Sequence, residues 1–297
     1  MNKNKKILIA TTFRNFNGSE NDKIQRMFLN SLVNQSYKNF KLIITVFKEK
    51  NVQTEISKYP IDAVFYKHNT PEEYKFSMSV LTENLIKEIN LCINSIGMWT
   101  TCDVIFDSNF FSEISKNSSD NFFGTSHPHI TYKNLNDFNE KISIKNRIES
   151  GGMDCFFFDS KILLKNEKIL KKYPNKDWGL YENFLTGIAI INKCKMINIF
   201  NLSKILKIDN DRKPGKETIK WLRNSYYKNN IYFEQFVSDY NLNTKIYYGW
   251  YMNLKFKVLG NKIKYFLKYS WYSYIRRYPK SYIKNLFFRS KDKNPPS

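Results

Sequence analysis

The first 110 residues change hydrophobic period in a fixed order, and that order restricts the fold more than any other feature of the chain. Lys5–Thr12 is a short apolar run that ends in small polar residues. Ile24, Met27, Phe28 and Leu32 recur at helical spacing, and Asn34-Gln35-Ser36-Tyr37 ends that helix. Lys41–Phe47 and Ile61–Tyr66 read as strands, with a turn at His68–Pro71. Residues 72–90 put Tyr74, Met78, Leu81, Leu85 and Ile89 on one helical face, and Met98–Phe106 reads as a fourth strand. Strand, helix, strand, strand, helix, strand implies an α/β layer with a largely parallel sheet. Ligands of such sheets bind beyond the carboxyl ends of the strands. Thr11, Thr12 and Asp103 fall at or near such ends, so they are expected to face one crevice.

Asp103 is the informative member of that set. It interrupts the apolar, β-prone run from Trp99 to Phe111. An ionised carboxylate there is costly unless a cation or hydrogen-bond donors meet it. A metal carrying phosphates would serve, and so would a structural hydrogen bond. The segment alone leaves both open.

The remainder is read more coarsely. Ser19 and Asp22 have capping-box-like spacing. Asn121–Thr125, Ile130–Tyr132 and Met153–Phe158 read as strands, and Lys161–Lys172 as a helix. Asp177-Trp178 opens a helix through Tyr181, Phe184, Leu185 and Ile188, where an aspartate is favourable for capping alone. Residues 201–215 read as a loop, Asp209–Gly215 as a domain boundary, and Glu217–Lys228 as a helix. The expected division is a catalytic-type domain over 1–210 and a helical basic extension over 211–297.

Composition removes several classes. A hydrophobic content of 42% with 24 Phe and 20 Tyr supports a real core. Four cysteines without a C-x-x-C pair, and three histidines in all, do not make a zinc site. The start lacks a signal-peptide core, and no apolar run approaches the roughly 20 residues of a spanning helix. The net charge is +21 and uneven. Residues 251–297 hold nine lysines and three arginines against the single acid Asp292, a net +11. Between Leu254 and Tyr278, Phe256, Leu259, Ile263, Phe266, Trp271 and Tyr274 recur at steps of three and four with basic residues between them. That is the pattern of an interfacial membrane helix. Docking on the chain's own core and nucleic-acid binding are its rivals, but no nucleic-acid module is recognisable, so no nucleic-acid partner is expected.

Ser31-Leu-Val-Asn-Gln-Ser-Tyr-Lys-Asn-Phe-Lys-Leu-Ile-Ile44, preceded by a strand, a loop and a helix, resembles the helix-to-second-strand passage of bacterial family-2 glycosyltransferases of the GT-A fold. The likeness covers roughly residues 5–195. It implies a nucleotide-binding, Rossmann-like mixed sheet flanked by helices. It implies a nucleotide-sugar donor, a glycan or lipid-linked acceptor and a divalent metal, Mg²⁺ or Mn²⁺. Thr11, Thr12 and Arg14 would then contact the nucleotide. The family's Asp-x-Asp motif would fall on Thr101-Cys102-Asp103, with threonine in place of the first aspartate and Asp103 on the metal and donor. Lys176-Asp177-Trp178 resembles the motif that supplies the catalytic base, which makes Asp177 the base and Glu182 the fallback. Gly151-Gly152-Met153-Asp154 resembles the acceptor-side strand, with Asp154 toward a sugar hydroxyl; an ordinary edge-strand residue is the alternative. His127 and His129 could contact phosphate or metal, or be plain loop residues. Together these imply a cytoplasmic enzyme, peripheral on the inner face of the cell membrane, building a surface glycan. A glycosyltransferase-like binder without catalysis is the rival, suggested by Thr101.

Overall fold

The computed structural model describes residues 5–47, 51–68, 78–126, 130–132, 155–173, 181–198, 205–208 and 235–242. Seven strands form the main sheet: β1 (Lys6–Thr12), β2 (Phe40–Val46), β3 (Ala63–Lys67), β4 (Ser95–Thr100), β6 (Phe122–Ser126), β8 (Cys155–Asp159) and β9 (Lys195–Asn198). Their order is β3-β2-β1-β4-β8-β6-β9. The first four are parallel, whereas β8 runs antiparallel to both its neighbours. A smaller sheet, β5-β10-β7, is made of β5 (Val104–Phe106), β10 (Ile205–Ile208) and β7 (Ile130–Tyr132). This is the mixed α/β sheet that the resemblance implies.

Alternation along the strands builds two cores. Ile7 and Ile9 of β1 pack with Phe28, Leu29 and Leu32 of α1 (Glu20–Val33) and with Phe110 and Phe111 of α4 (Phe110–Asn117). Leu8 and Ala10 face the other way, onto Leu81, Leu85 and Ile89 of α3 (Met78–Leu91) and the cluster that includes Leu185 and Ile188 of α7 (Tyr181–Ile191). Period two in the strand meets period 3.6 in the helices, and both sheet faces are covered. The triple phenylalanine of β8 fits because glycines stand opposite it. Gly97 pairs with Phe158 and Gly124 with Phe157, and an added Cβ would lie 2.4 and 2.2 Å from those rings.

Several expectations are corrected. The strand read over Met98–Phe106 is two strands in different sheets. Thr101-Cys102-Asp103 is the turn between them, closed by a hydrogen bond from the Thr101 hydroxyl to the Asp103 carboxylate. The helix read over Lys161–Lys172 breaks into α5 (Lys161–Lys165) and α6 (Glu167–Lys172). There the Asn166 side-chain amide donates to the Ile162 carbonyl at 2.7 Å, in competition with the helical ladder. The loop read over 201–215 contains β10. The 155–159 strand lies inside the sheet, not at its edge. Ser19 precedes α1 as expected, but its hydroxyl donates to Asp22 instead of accepting a helical N–H. Helix α2 (Val52–Ile56), α4 and β9 were not anticipated. The boundary at 209–215, the helix at 217–228 and the basic tail lie outside the described residues.

The polar residues of the Ser31–Ile44 passage are structural. Gln35, wholly buried, donates to the carbonyls of Ser31 at 2.9 Å and Asp107 at 2.7 Å, and accepts the Phe111 N–H at 3.0 Å. The Ser36 N–H donates to the Ser108 carbonyl at 2.8 Å, and the Tyr37 hydroxyl to the Lys5 carbonyl at 2.7 Å. Gln35 and Ser36 pin the end of α1 to the turn that follows β5, and Tyr37 ties the passage to the start of β1. Gln35→Met is expected to cost roughly 1–3 kcal/mol by leaving the buried Phe111 N–H unpaired. Urea unfolding checks this; an unchanged midpoint would mean that the amide is dispensable.

Candidate functional site

The sheet changes direction of travel at β1. From β1 the chain moves outward to β2 and β3, then returns to place β4 on the opposite edge of β1. Ala10 of β1 pairs with Trp99 of β4, while Thr12 pairs with Thr45 of β2. The carboxyl ends of β1 and β4 therefore flank a switch point, where open α/β sheets form their ligand crevice. The loop leaving β1 and the Thr101–Asp103 turn leaving β4 would be the two walls of such a crevice.

The β1 loop is held from several sides. Phe13 and Phe16 are buried, and Phe13 lies against Phe28 with ring centroids 5.7 Å apart. The Gln25 amide takes both main-chain groups of Arg14: the Arg14 N–H donates to Oε1 at 2.7 Å, and Nε2 donates to the Arg14 carbonyl at 3.3 Å. Asn51 treats Phe16 the same way, accepting its N–H at 3.0 Å and donating to its carbonyl. Two side-chain amides thus pair with alternate loop residues much as a neighbouring strand would. The Arg26 guanidinium lies 5.2 Å from the Phe16 ring centroid and donates to Glu55 at 2.7 Å. Lys58 first, and then Arg26, hold the Glu55 carboxyl below its usual range.

The four residues expected on the donor side occupy different environments. Thr11 is wholly buried, and its hydroxyl has no hydrogen-bond partner among the described residues. Thr12 donates to the Thr45 carbonyl at 2.9 Å, beside an Asn84-to-Thr45 hydroxyl bond of 3.0 Å. The Arg14 side chain is exposed, and no hydrogen bond or ion pair holds its guanidinium among the described residues. Asp103 is half-buried and accepts from Thr101. The Cys102 thiol turns to Gln25 Oε1, at 3.6 Å. Thr12, Arg14 and Asp103 thus stand at the same sheet edge, with Gln25 touching both walls. Sequence reading missed Gln25, although an amide among Ile24, Phe28 and Leu32 on the apolar face of α1 was a visible signal.

Asp154 and Asp177 lie outside the described residues, as do His127 and His129. Glu182 belongs to the first turn of α7, but its side chain is not described. Among the described residues no three of His, Cys, Asp and Glu cluster as a metal site. The Thr101–Asp103 turn offers one carboxylate and one hydroxyl, an oxygen set that suits Mg²⁺ or Mn²⁺ when a diphosphate completes the shell. A separate concavity of about 400 Å³ lies between α3 and α6, lined by Ser79, Glu83, Lys87, Glu167 and Tyr173 among others.

No protein-family model and no curated protein matches the chain. Among solved structures it is similar to residues 1–349 of S. aureus TarS in complex with UDP-GlcNAc, at 11% identity over 74% of this chain and 65% of that one, with a TM-score of 0.46. It is similar to the mannosyltransferase PcManGT of Pyrobaculum calidifontis in complex with GDP-Man and Mn²⁺, at 8% identity over 73% and 60%, also with a TM-score of 0.46. A third is a cytidylyltransferase of Leptospira borgpetersenii, at 15% identity over 66% and 75%, with a TM-score of 0.41. The chain thus spans less than two thirds of the first two.

The buried Thr11 hydroxyl has no hydrogen-bond partner among the described residues, so Thr11→Val is expected to leave stability unchanged or raise it by up to about 1 kcal/mol. Denaturant titration checks it; a loss of 1 kcal/mol or more would reveal a bonding role.

Proposed function

We propose that the chain is a glycosyltransferase that moves a sugar from a nucleotide-sugar donor to a growing surface glycan. The observation that supports this is the placement of Arg14 and Asp103 on the segments that leave the adjacent carboxyl ends of β1 and β4. One wall offers a cation with no hydrogen-bond or ion-pair partner among the described residues, and the other a carboxylate with a hydroxyl beside it. A diphosphate bound to a divalent metal complements both. Asp103, assisted by Thr101, would hold the metal, and Arg14 would meet the phosphates. The metal's contribution is to offset the charge that develops on the leaving diphosphate. Thr12 lies at the foot of the same wall, and Thr11 would contribute only if a ligand group reached its buried hydroxyl.

Inverting transfer also needs a base for the acceptor hydroxyl. The family likeness supports Asp177 in this role, with Glu182 as the fallback and Asp154 on the acceptor side. The basic, aromatic pattern over 254–278 supports an anionic membrane surface as partner, and with it a lipid-linked acceptor and a location on the inner face of the membrane. No helix among the described residues is long and apolar enough to cross a membrane. Thr101, standing where the family carries a carboxylate, favours a second reading in which the crevice binds nucleotide without transfer.

Asp103→Asn is expected to weaken nucleotide-sugar binding by roughly tenfold or more, with the melting temperature moved by only a few degrees. EDTA should weaken binding to the wild type and do little further to the variant. Calorimetry with UDP-, GDP-, CMP- and dTDP-sugars, with and without Mn²⁺, measures both. Wild type that binds none of them contradicts the proposal, and binding without donor hydrolysis or transfer selects the non-catalytic reading. Removal of residues 254–297 should release the protein from anionic liposomes and leave nucleotide binding intact. A truncated chain that keeps its liposome affinity, or that unfolds, counts against the membrane role.

A further inference from the structure

We infer that Gln25 is a positioning residue that sets the β1 loop and the Asp103 turn relative to one another; the inference rests on reading the crevice as a nucleotide-sugar site. Gln25 is 2% exposed on the core-facing side of α1, between the buried Ile24 and Phe28. A primary amide is a costly choice for such a position unless its polar atoms are paired. They are paired outside the helix. Oε1 accepts the Arg14 N–H at 2.7 Å and the Cys102 thiol at 3.6 Å, and Nε2 donates to the Arg14 carbonyl at 3.3 Å. A methionine or leucine would satisfy the packing of α1 alone. What the amide adds is a two-point hold on one residue of the first wall and a contact to the residue before Asp103 in the second.

The hold acts on the backbone of Arg14 and leaves its side chain free. With its N–H and carbonyl both fixed, the residue can turn neither peptide plane, so the guanidinium swings from a stationary root. The thiol contact ties the neighbouring turn to the same amide oxygen. A loop already fixed does not pay its ordering entropy when ligand arrives. Arg14 and a metal held by Asp103 would bind the same diphosphate, so a small error in their separation would be felt by both. Asn51 holds only Phe16 of the loop, whereas Gln25 is bonded to both Arg14 and Cys102, so the linking role falls to Gln25.

Gln25→Met keeps length and apolar volume while removing all three bonds. Three readouts test it on the full chain. Exchange of the Arg14 amide hydrogen is expected to accelerate at least tenfold, alkylation of Cys102 several-fold, and the dissociation constant for UDP or GDP with Mn²⁺ to rise roughly tenfold. Gln25→Glu keeps the acceptor for Arg14 N–H and Cys102 but loses the donor, so its values should fall between those of wild type and Gln25→Met. It also serves if Gln25→Met does not fold. Exchange and alkylation unchanged in the variants would overturn the clamp. Accelerated exchange with unaltered nucleotide affinity would overturn its positioning role. Wild type that binds neither nucleotide would overturn the functional reading, while exchange and alkylation still judge the link between the two walls.

Discussion

Both edges of β1 are occupied by parallel strands that the chain reaches by opposite routes, and the crevice follows from that constraint. Parallel neighbours require crossovers, which α1 and α3 supply on opposite faces of the sheet. The strands end together, and both segments that leave them lie on the α1 side of the sheet. Residues 13–17 lead into α1, while Thr101–Asp103 leads into β5, whose Val104 and Phe106 join the same core as Phe13 and Phe28. The gap between them is lined by the polar residues at the ends of otherwise apolar strands.

Side-chain amides keep that gap in shape. Gln35 fastens α1 to the turn after β5, Gln25 joins α1 to both walls, and Asn51 brings the α2 end onto Phe16. An amide can satisfy a main-chain donor and acceptor at once, which a hydroxyl or carboxylate does less well. Phenylalanines fill the space beneath: Phe13, Phe28, Phe106 and Phe110 form a run of ring contacts from the loop to α4, the last pair with centroids 4.6 Å apart. The exposed Arg14 and the half-buried Asp103 are the charged side chains on the two segments.

Much of this was legible in the sequence. The period changes over residues 5–100 gave the parallel half of the sheet, because hydrophobic spacing is local. The position of β8 between β4 and β6 was not legible, since non-local pairing leaves only indirect marks such as Gly97 and Gly124 opposite Phe158 and Phe157. The break between β4 and β5 was missed because Thr-Cys-Asp lacks the glycine or proline that usually marks a turn; a side-chain hydrogen bond closes it instead. Thr11, Thr12 and Asp103 were placed at one edge by reasoning from strand ends, and Arg14 was added only through the family resemblance. Gln25 was passed over because an apolar helical face was read for its hydrophobic members. Gln35 was noticed as part of a motif, but its three main-chain partners lie partly some 70 residues away and could not be inferred.

The central claim is that nucleotide occupies the crevice between the ends of β1 and β4. Hydrogen exchange with and without a binding nucleotide-sugar and Mn²⁺ tests it most directly. The account predicts slowed exchange in two separate segments, 12–17 and 100–104, with little change along the outer surface of α3. Protection confined to the concavity between α3 and α6, or absent from either crevice wall under saturating ligand, would contradict it.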